Sequence, residues 1–126
     1  MRIGYACQNL TLGTVSRTFR LASYSEERLF STVAANLEDA RRMVEFNAAH
    51  GLGLLRLSAA LVPFASHDVM AHDWKARFAD EFRDLGRAAH AAGIRLSVHP
   101  GQFVLINSPR EEVNRAAVRE LVYAAE

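Results

Sequence analysis

Three times along the chain, a short apolar strand is followed by a loop and a helix with one apolar stripe. The predicted strands are Arg2–Cys7, Gly53–Leu57 and Ile94–His99, and the predicted helices are Ser25–His50, Trp74–Ala92 and a last one that starts at Ser108. Consecutive units of this kind build a parallel sheet with right-handed crossovers. The sequence therefore predicts an α/β fold, and its 126 residues are one domain or part of one.

Capping residues mark where these helices begin. Ser25 precedes the first helix and Asp73 precedes the second, and such side chains accept hydrogen bonds from the free backbone N–H groups of a helix start. Residues 74–92 are predicted as one continuous helix. For the last helix, Ser108 is the expected cap and Glu111 is the residue expected to close a capping box. We therefore expect a side-chain cap at each start.

Polar side chains alternate with apolar ones along the second and third strands. Arg56 and Ser58 share one side of the second strand, and Arg95, Ser97 and His99 share one side of the third. Strands covered by helices on both faces would be apolar on both sides. One polar face instead favours a barrel whose inner surface becomes polar toward an active site. A TIM barrel has eight units and typically about 250 residues, so three units indicate a partial TIM barrel.

The segment after the first strand is polar and contains no acidic residue. From Cys7 through Tyr24 the charged residues are Arg17 and Arg20. A basic loop without carboxylates suits a phosphate backbone, and an ordinary solvated loop fits this composition equally well. We predict a long loop here, with Arg17 as a candidate phosphate contact. Cys7 has no base placed near it by spacing, so a small buried residue is its expected role.

Bulk composition gives few functional constraints. The formal net charge of +1 does not by itself argue for nucleic acid as a partner. The one cysteine cannot form an intrachain disulfide, which fits a reducing compartment. No stretch approaches the roughly 20 apolar residues of a membrane span, and the first residues lack a signal-peptide pattern. A cytoplasmic protein without membrane contact is expected.

Candidate functional residues follow the third strand. In a barrel of parallel strands, the active site lies at the carboxyl ends of the strands. His99 ends the third strand on its polar side, where a neutral imidazole suits a metal ion; a histidine that only hydrogen-bonds a neighbour fits the same position. Gln102 and Phe103 follow a Pro-Gly pair, so an amide and an aromatic ring would project from a turn. They would pair with and stack on an unstacked base, unless Phe103 packs in the core.

A second group of candidates follows the second strand. Two histidines and two aspartates lie within residues 67–73, and such a cluster can bind a metal ion. Asp73 is better used as a helix cap, and His72 beside it is expected to be exposed. His67 is therefore the candidate ligand of this segment.

Together, these segments resemble the UV-damage endonucleases, the UvdE family. The resemblance runs in order over essentially the whole chain, and the combination of motifs is specific. It implies an eight-stranded barrel with a cluster of divalent metal ions, often manganese, that nicks damaged double-stranded DNA immediately 5′ to the damaged site. Residues 1–126 would be the N-terminal segment of that barrel. The segments that carry the resemblance are residues 4–12, 36–37, 46–51, 56–58, 61–67 and 99–103.

The resemblance also implies roles for single residues. His99 and His67 match metal-binding positions, and His67 has the alternative role of acting on the phosphate. Gln102 and Phe103 match the pair that probes the lesion, although the family often has Tyr in place of Phe103. The list of matching site residues is completed by Tyr5 and Asn9 of the first strand. The family's other ligands have no counterpart among residues 1–126, so we expect this chain alone to bind metal weakly and not to cleave DNA.

Two other classes of function remain open from the residues. One is a different barrel enzyme, either an apurinic-site nuclease of the endonuclease IV type or a sugar isomerase. The Gln102–Phe103 pair and the acid-free loop argue against the isomerase. The other is a truncated barrel segment that acts only as a folding or binding module. In either case unpaired strand edges favour association, so self-association through open sheet edges is expected.

Overall fold

A three-stranded parallel sheet is the centre of the fold, in a computed structural model that describes residues 1–126. Strand β4 lies between β1 and β5, and both pairings are parallel. The α/β prediction is confirmed. In chain order the elements are β1 (Gly4–Ala6), β2 (Gln8–Asn9), β3 (Gly13–Thr14), α1 (Glu26–Ala49), β4 (Leu54–Ser58), α2 (Trp74–Arg77), α3 (Ala79–Ala91), β5 (Arg95–His99) and α4 (Glu111–Ala125).

The hydrophobic core lies between one face of the sheet and the helices. Leu55 and Leu57 of β4 are buried there, because alternate side chains of a strand point to the same face. Helix α1 supplies the largest share of the remaining core. Removing these side chains from water is the main favourable term for folding, at roughly 1.5–3 kcal/mol for each large aliphatic residue. The core residues of the helices and the adjoining loops are Val15, Leu29, Val33, Leu37, Ala40, Met43, Val44, Leu61, Val62, Phe78, Leu85, Ala89 and Ile94.

The opposite face of the sheet is polar and is not covered by a helix. Arg56 pairs in register with Ser97, and Ser58 pairs with His99, so these side chains lie on the same face. Arg56, His99 and Arg95 are exposed. The predicted polar face is confirmed. The outer edges of β1 and β5 have no neighbouring strand in this chain.

The first helix begins and ends as predicted. Ser25 Oγ accepts a hydrogen bond from the backbone N–H of Arg28 at 3.2 Å. Gly51, just beyond the helix, has a φ of 68°, a conformation that glycine adopts without a steric penalty. Helix α1 is the longest of the four, with 24 residues. Neither it nor any other helix combines the length and the apolar character needed to cross a membrane.

The predicted continuous helix over residues 74–92 is wrong in its interior. The chain turns at Phe78, whose φ of −114° and ψ of 17° separate α2 from α3. The break lets the Phe78 ring reach the core, where it is 1% exposed and contacts Phe30 edge to face at 5.7 Å. The predicted cap is confirmed, because Asp73 Oδ1 accepts from the Ala76 N–H at 3.0 Å.

The predicted cap of the last helix is also wrong. Helix α4 begins at Glu111, its cap position is Arg110, and no side chain caps it. Ser108 Oγ instead accepts from the Arg110 N–H at 3.2 Å, so it closes a turn before the helix. Asn114 donates to the carbonyl of Ile106, which ties the preceding loop to the first turn of α4. This loop contact sets the helix start two residues later than the local sequence signal.

The loop after the first strand is more ordered than predicted. Cys7 has a φ of 56°, which ends β1 at Ala6, one residue before the predicted end of the strand. A short antiparallel hairpin of β2 and β3 follows, with Asn9 paired to Gly13. The Cys7 N–H still donates to the Arg56 carbonyl at 2.7 Å, so the kink does not detach the chain from the sheet.

Gly4 allows β1 to approach β4 closely, and substitution tests this packing. A Cβ on Gly4 would lie 1.7 Å from the Leu54 carbonyl oxygen, whereas a Cβ on Gly86 in α3 would meet no atom within 4 Å. We expect Gly4→Ala to lower the free energy of unfolding by roughly 1–3 kcal/mol, as overpacking does. Gly86→Ala should raise it by about 1 kcal/mol through helix propensity. Urea unfolding followed by circular dichroism measures both, and equal midpoints for Gly4→Ala and the wild type would contradict the prediction.

Candidate active site

The candidate residues lie at the carboxyl-terminal edge of the parallel sheet. Asn9 follows β1, His67 follows β4, and His99 is the last residue of β5. Because the carboxyl ends of parallel strands meet at one edge, three separate loops contribute to the same side of the molecule. This placement is the one expected for an active site on a barrel.

His99 is held by the sheet, and its side chain reaches an open groove. The residue pairs in register with Ser58 on the uncovered polar face. Its imidazole is exposed, as a ligand to an external group must be. The groove has a volume of about 340 Å³ and is lined by His99, Pro100, Gly101, Gln102, Val104, Ile106 and Leu121.

The loop that borders this groove presents Gln102 and Phe103 to solvent. The Val104 N–H donates to the Gly101 carbonyl at 3.0 Å, which closes a tight turn around the pair. Phe103 is 81% exposed and Gln102 is also exposed. The alternative that Phe103 packs in the core is therefore wrong. An exposed ring on a closed turn is available for stacking on a flat partner.

His67 is exposed, but its ring is held by the backbone. The Val69 N–H donates to His67 Nδ1 at 3.0 Å. A neutral imidazole that accepts at Nδ1 carries its proton on Nε2. The outward nitrogen is therefore a hydrogen-bond donor, which suits a phosphate oxygen. To bind a metal ion, the ring would have to release Val69 and offer a lone pair instead.

The described residues do not assemble a metal site by themselves. His67 and His99 line different grooves. No group of three or more His, Cys, Asp or Glu side chains is placed to hold a metal ion. His72 lies 3.6 Å from Glu26 and stacks on Tyr24, and Asp73 caps α2, so the cluster over residues 67–73 does not form. Two imidazoles are chemically suitable donors but too few for a closed site.

Helix α4 anchors the loop that carries His67. The Tyr123 hydroxyl accepts from the Val62 N–H at 3.1 Å, and Arg119 Nε donates to the Ser66 carbonyl at 3.2 Å. Ser66 also bonds Glu120. Burial raises the pKa of Tyr123 to about 12, partly opposed by the bond from Val62. The second and third strand–helix units are thereby joined at the site edge.

Tyr5 and Asn9 contact each other, and most of the polar atoms of Asn9 are used within the chain. Asn9 Nδ2 donates to the Tyr5 hydroxyl at 2.8 Å, and Asn9 Oδ1 accepts from the N–H groups of Thr11 and Leu12 at 2.9 and 3.2 Å. Asn9 is 8% exposed. Tyr5 pairs in register with Leu55, so it faces the helices rather than the polar face. The geometry gives this pair a role in shaping the hairpin, and their contact with DNA stays a prediction.

Arg17 is paired with a carboxylate that lies outside the acid-free loop. Its guanidinium lies 2.6 Å from Asp39 of α1 and also donates to the Thr14 carbonyl at 2.9 Å. The Asp39 side chain is 6% exposed. The loop is therefore not a free basic patch, although the sequence segment contains no acid. Arg20 is exposed and has no ion-pair partner in the chain.

Two positions that were not among the predicted site residues, Asn36 and Asp39, organise this loop. Asn36 is completely buried, and its Oδ1 accepts from the Arg17 N–H at 3.0 Å. Its Nδ2 lies within hydrogen-bond distance of the carbonyls of Arg17, Ala60 and Leu61. In the sequence, Asn36 stands out as a polar residue within the apolar stripe of α1, between Val33 and Leu37.

Cys7 lies near the polar face without the features of a nucleophile. The thiol is half-buried, and burial raises its pKa, with the Arg56 charge and a hydrogen bond to Ser58 acting in the opposite direction. A raised pKa keeps the group as a thiol near neutral pH, whereas a reactive cysteine needs thiolate character. The structural role expected for Cys7 is consistent with this environment.

Comparison with known proteins gives consistent matches over the whole chain. Residues 1–126 match the family described as UV-endonuclease UvdE. A UV DNA damage endonuclease of Clostridium perfringens is 31% identical over 127 residues, which are 100% of this chain and 31% of that protein. A UV-damage endonuclease of Schizosaccharomyces pombe is 36% identical over 132 residues, which are 97% of this chain and 22% of that protein.

A solved structure matches the fold as well. The crystal structure of SacUVDE superposes with a TM-score of 0.95 at 38% identity, covering 99% of this chain and 44% of that one. The three strand–helix units are thus part of a TIM-barrel fold. The chain spans less than half the length of each of these proteins. None of the matches favours the apurinic-site nuclease or the sugar isomerase.

The Arg17–Asp39 pair predicts a difference between two arginines of one loop. Arg17→Ala would leave a buried carboxylate without its closest cation, so we expect the free energy of unfolding to fall by about 1–3 kcal/mol, between the values for exposed and buried ion pairs. Arg20→Ala removes an exposed, unpaired charge and should change it by less than about 0.5 kcal/mol. Urea unfolding of both variants gives the comparison. Equal stabilities would show that the ion pair contributes nothing measurable.

Tyr123 predicts a loss of stability at alkaline pH. The folded pKa of about 12 exceeds the unfolded value of about 10, so the folded state holds the phenol proton more tightly. This contribution is fully present below about pH 10 and is lost as the pH rises to about 12, a total of about 3 kcal/mol. Unfolding of the wild type and of Tyr123→Phe across this range should show the steeper decline in the wild type. Parallel declines would contradict the prediction.

Proposed function

This chain belongs to the UV-endonuclease UvdE family, and on that premise we propose that it forms the N-terminal segment of a DNA-repair endonuclease. The proposed reaction is a nick 5′ to UV photoproducts and related lesions, made by metal-assisted hydrolysis of a phosphodiester bond. The substrate is damaged double-stranded DNA, and a cytoplasmic location belongs to the same proposal. The observation that carries it is the exposed Gln102–Phe103 turn directly beside the groove that holds His99.

Lesion recognition would use the chemistry of this turn. A photoproduct disturbs base stacking, which lowers the cost of exposing the bases around it. Phe103 offers an exposed ring, and stacking of a base on an aromatic side chain contributes about 1–3 kcal/mol. Gln102 offers both a donor and an acceptor to a base edge. Selectivity for damage would then come from the free energy needed to unstack the DNA.

The hydrolytic centre would include His99 and His67. In the proposal His99 serves divalent ions, most suitably Mn²⁺, and further donors come from outside residues 1–126. His67 serves such an ion only once its ring releases the Val69 N–H. When bound, such ions activate water and stabilise the leaving oxygen. In the geometry described, the Nε2 proton of His67 also suits a bond to a phosphate oxygen. In the proposal Arg17, which is held by Asp39, and the Tyr5–Asn9 pair would contact the DNA.

Self-association is part of the proposal for this chain. The outer edges of β1 and β5 leave backbone N–H and C=O groups without partners, and another strand can satisfy them. The uncovered polar face beside them carries Arg56 and Arg95, which make no ion pair within the chain. Association along an edge would satisfy these backbone groups and leave the arginines in water.

Binding of damaged DNA tests the proposal. Fluorescence anisotropy would compare a duplex that carries one defined photoproduct with the same duplex undamaged, at one fixed salt concentration. We expect tighter binding of the damaged duplex. Phe103→Ala should reduce this preference by about fivefold or more, because stacking is lost. Phe103→Tyr should retain it, and Leu105→Ala, an exposed apolar neighbour in the same loop that does not line the groove, is the matched control.

Equal binding of both duplexes by the wild type would contradict the proposed recognition. A gel assay with Mn²⁺ on the same damaged duplex examines the chemistry. Two imidazoles are too few ligands for catalysis, so the 126-residue chain should not nick DNA by itself. Nicking 5′ to the lesion that disappears in His99→Ala and persists in His90→Ala would establish the activity and show that copies of the chain complete the site.

A further inference from the structure

Phe64 has a backbone conformation that large side chains rarely adopt. Its φ is 61°, and Cys7 is the other non-glycine residue in the chain with a positive φ. For a bulky residue this left-handed conformation is strained, so surrounding contacts must hold it. Such strain is found most often near functional sites, and Phe64 lies three residues before His67.

Aromatic contacts from the preceding strand–helix unit hold Phe64 in place. Its ring meets Phe19 edge to face at 5.3 Å and Tyr24 at 5.9 Å. Both partners belong to the segment between β3 and α1. The Tyr24 hydroxyl lies 3.6 Å from Met70 Sδ, on the far side of His67 in sequence. The loop after β4 is thus packed at two points against the segment that precedes α1.

The turn formed at Phe64 fixes His67. The Phe64 carbonyl accepts from the His67 N–H at 2.9 Å, and the Phe64 ring meets the imidazole edge to face at 6.0 Å. Beyond it, the Val69 N–H donates to His67 Nδ1 at 3.0 Å, and the Met70 N–H donates to the His67 carbonyl at 3.0 Å. An exposed histidine on a loop is therefore restrained on both sides, although it lies outside any helix or strand.

We propose that Phe64 is a positioning residue for His67. Its ring, held by Phe19 and Tyr24, keeps the left-handed turn formed, and the turn keeps the His67 imidazole oriented with Nδ1 on the Val69 N–H. Precise orientation of a site residue depends on supporting contacts of this kind. The inference rests on the proposed function only in assigning His67 to the site, and the packing that carries it lies in residues 19–70.

Nuclear magnetic resonance of the whole 126-residue chain tests the inference without DNA or metal. At about pH 8 histidine side chains are largely neutral, and long-range proton–nitrogen spectra report which ring nitrogen holds the proton. In the wild type we expect His67 Nδ1 to be unprotonated and the Val69 amide to be protected from hydrogen exchange. Phe64→Ala should populate both tautomers and speed Val69 exchange about tenfold, as loss of one hydrogen bond does. Phe64→Tyr should restore both signals.

A matched control separates positioning from general stability. Phe46 stacks on His50 at 3.9 Å, in another Phe–His pair of the chain. Phe46→Ala should lower stability but leave the His67 tautomer and Val69 protection unchanged. If Phe64→Ala does not fold, Phe19→Leu removes the closest ring support and should change the same two signals to a smaller extent.

Wild-type His67 signals in a folded Phe64→Ala chain would overturn the inference, and so would equal changes in Phe46→Ala. These results are independent of the lesion-binding assay. If the wild type binds both duplexes equally while Phe64→Ala changes the His67 and Val69 signals, the proposed function is rejected and the positioning role of Phe64 stands. If the wild type prefers the damaged duplex while Phe64→Ala leaves the His67 and Val69 signals unchanged, only the role of Phe64 is rejected.

Discussion

The buried side-chain amide of Asn36 fixes the relation between the first two strand–helix units. It bonds the Arg17 backbone in one unit and approaches the carbonyls of Ala60 and Leu61 in the next. A buried amide without hydrogen-bond partners is costly, so the loop of Arg17 and the loop of Ala60 and Leu61 must both pack against Asn36 in the folded state. The Arg17–Asp39 ion pair and the turn after β4 depend on this arrangement. The position of His67 depends in turn on the segment that follows Leu61.

One face of the sheet contributes to stability, and the other carries candidate site residues. The face with Leu55 and Leu57 packs against the helices and supplies the sheet's part of the hydrophobic core. The other face carries Arg56 and His99 and is left open, which would be unfavourable if its side chains were apolar. His99 obtains its position directly from the β5 ladder. His67, on a loop, needs α4 and the aromatic contacts of Phe64 for the same purpose.

Much of the fold and part of the site follow from local sequence. Alternation along β4 and β5 predicted the polar face, and Ser25 and Asp73 are the caps that their types indicate. The local signals misled where a distant contact outweighed them. Burial of the Phe78 ring breaks a helix whose periodicity is continuous, and the bond from Asn114 to Ile106 delays the start of α4 past Ser108.

The sequence by itself determined the α/β class, the family and the order of candidate residues along the chain, because periodicity and motifs are properties of neighbouring residues. Only the tertiary structure decided what those residues meet. From the sequence, Arg17 is expected to be a free cation in a loop without acids. In the structure it forms an ion pair with Asp39, which lies on α1, 22 positions further along the chain. The strained turn at Phe64 was likewise set by packing between units, which no local pattern encodes.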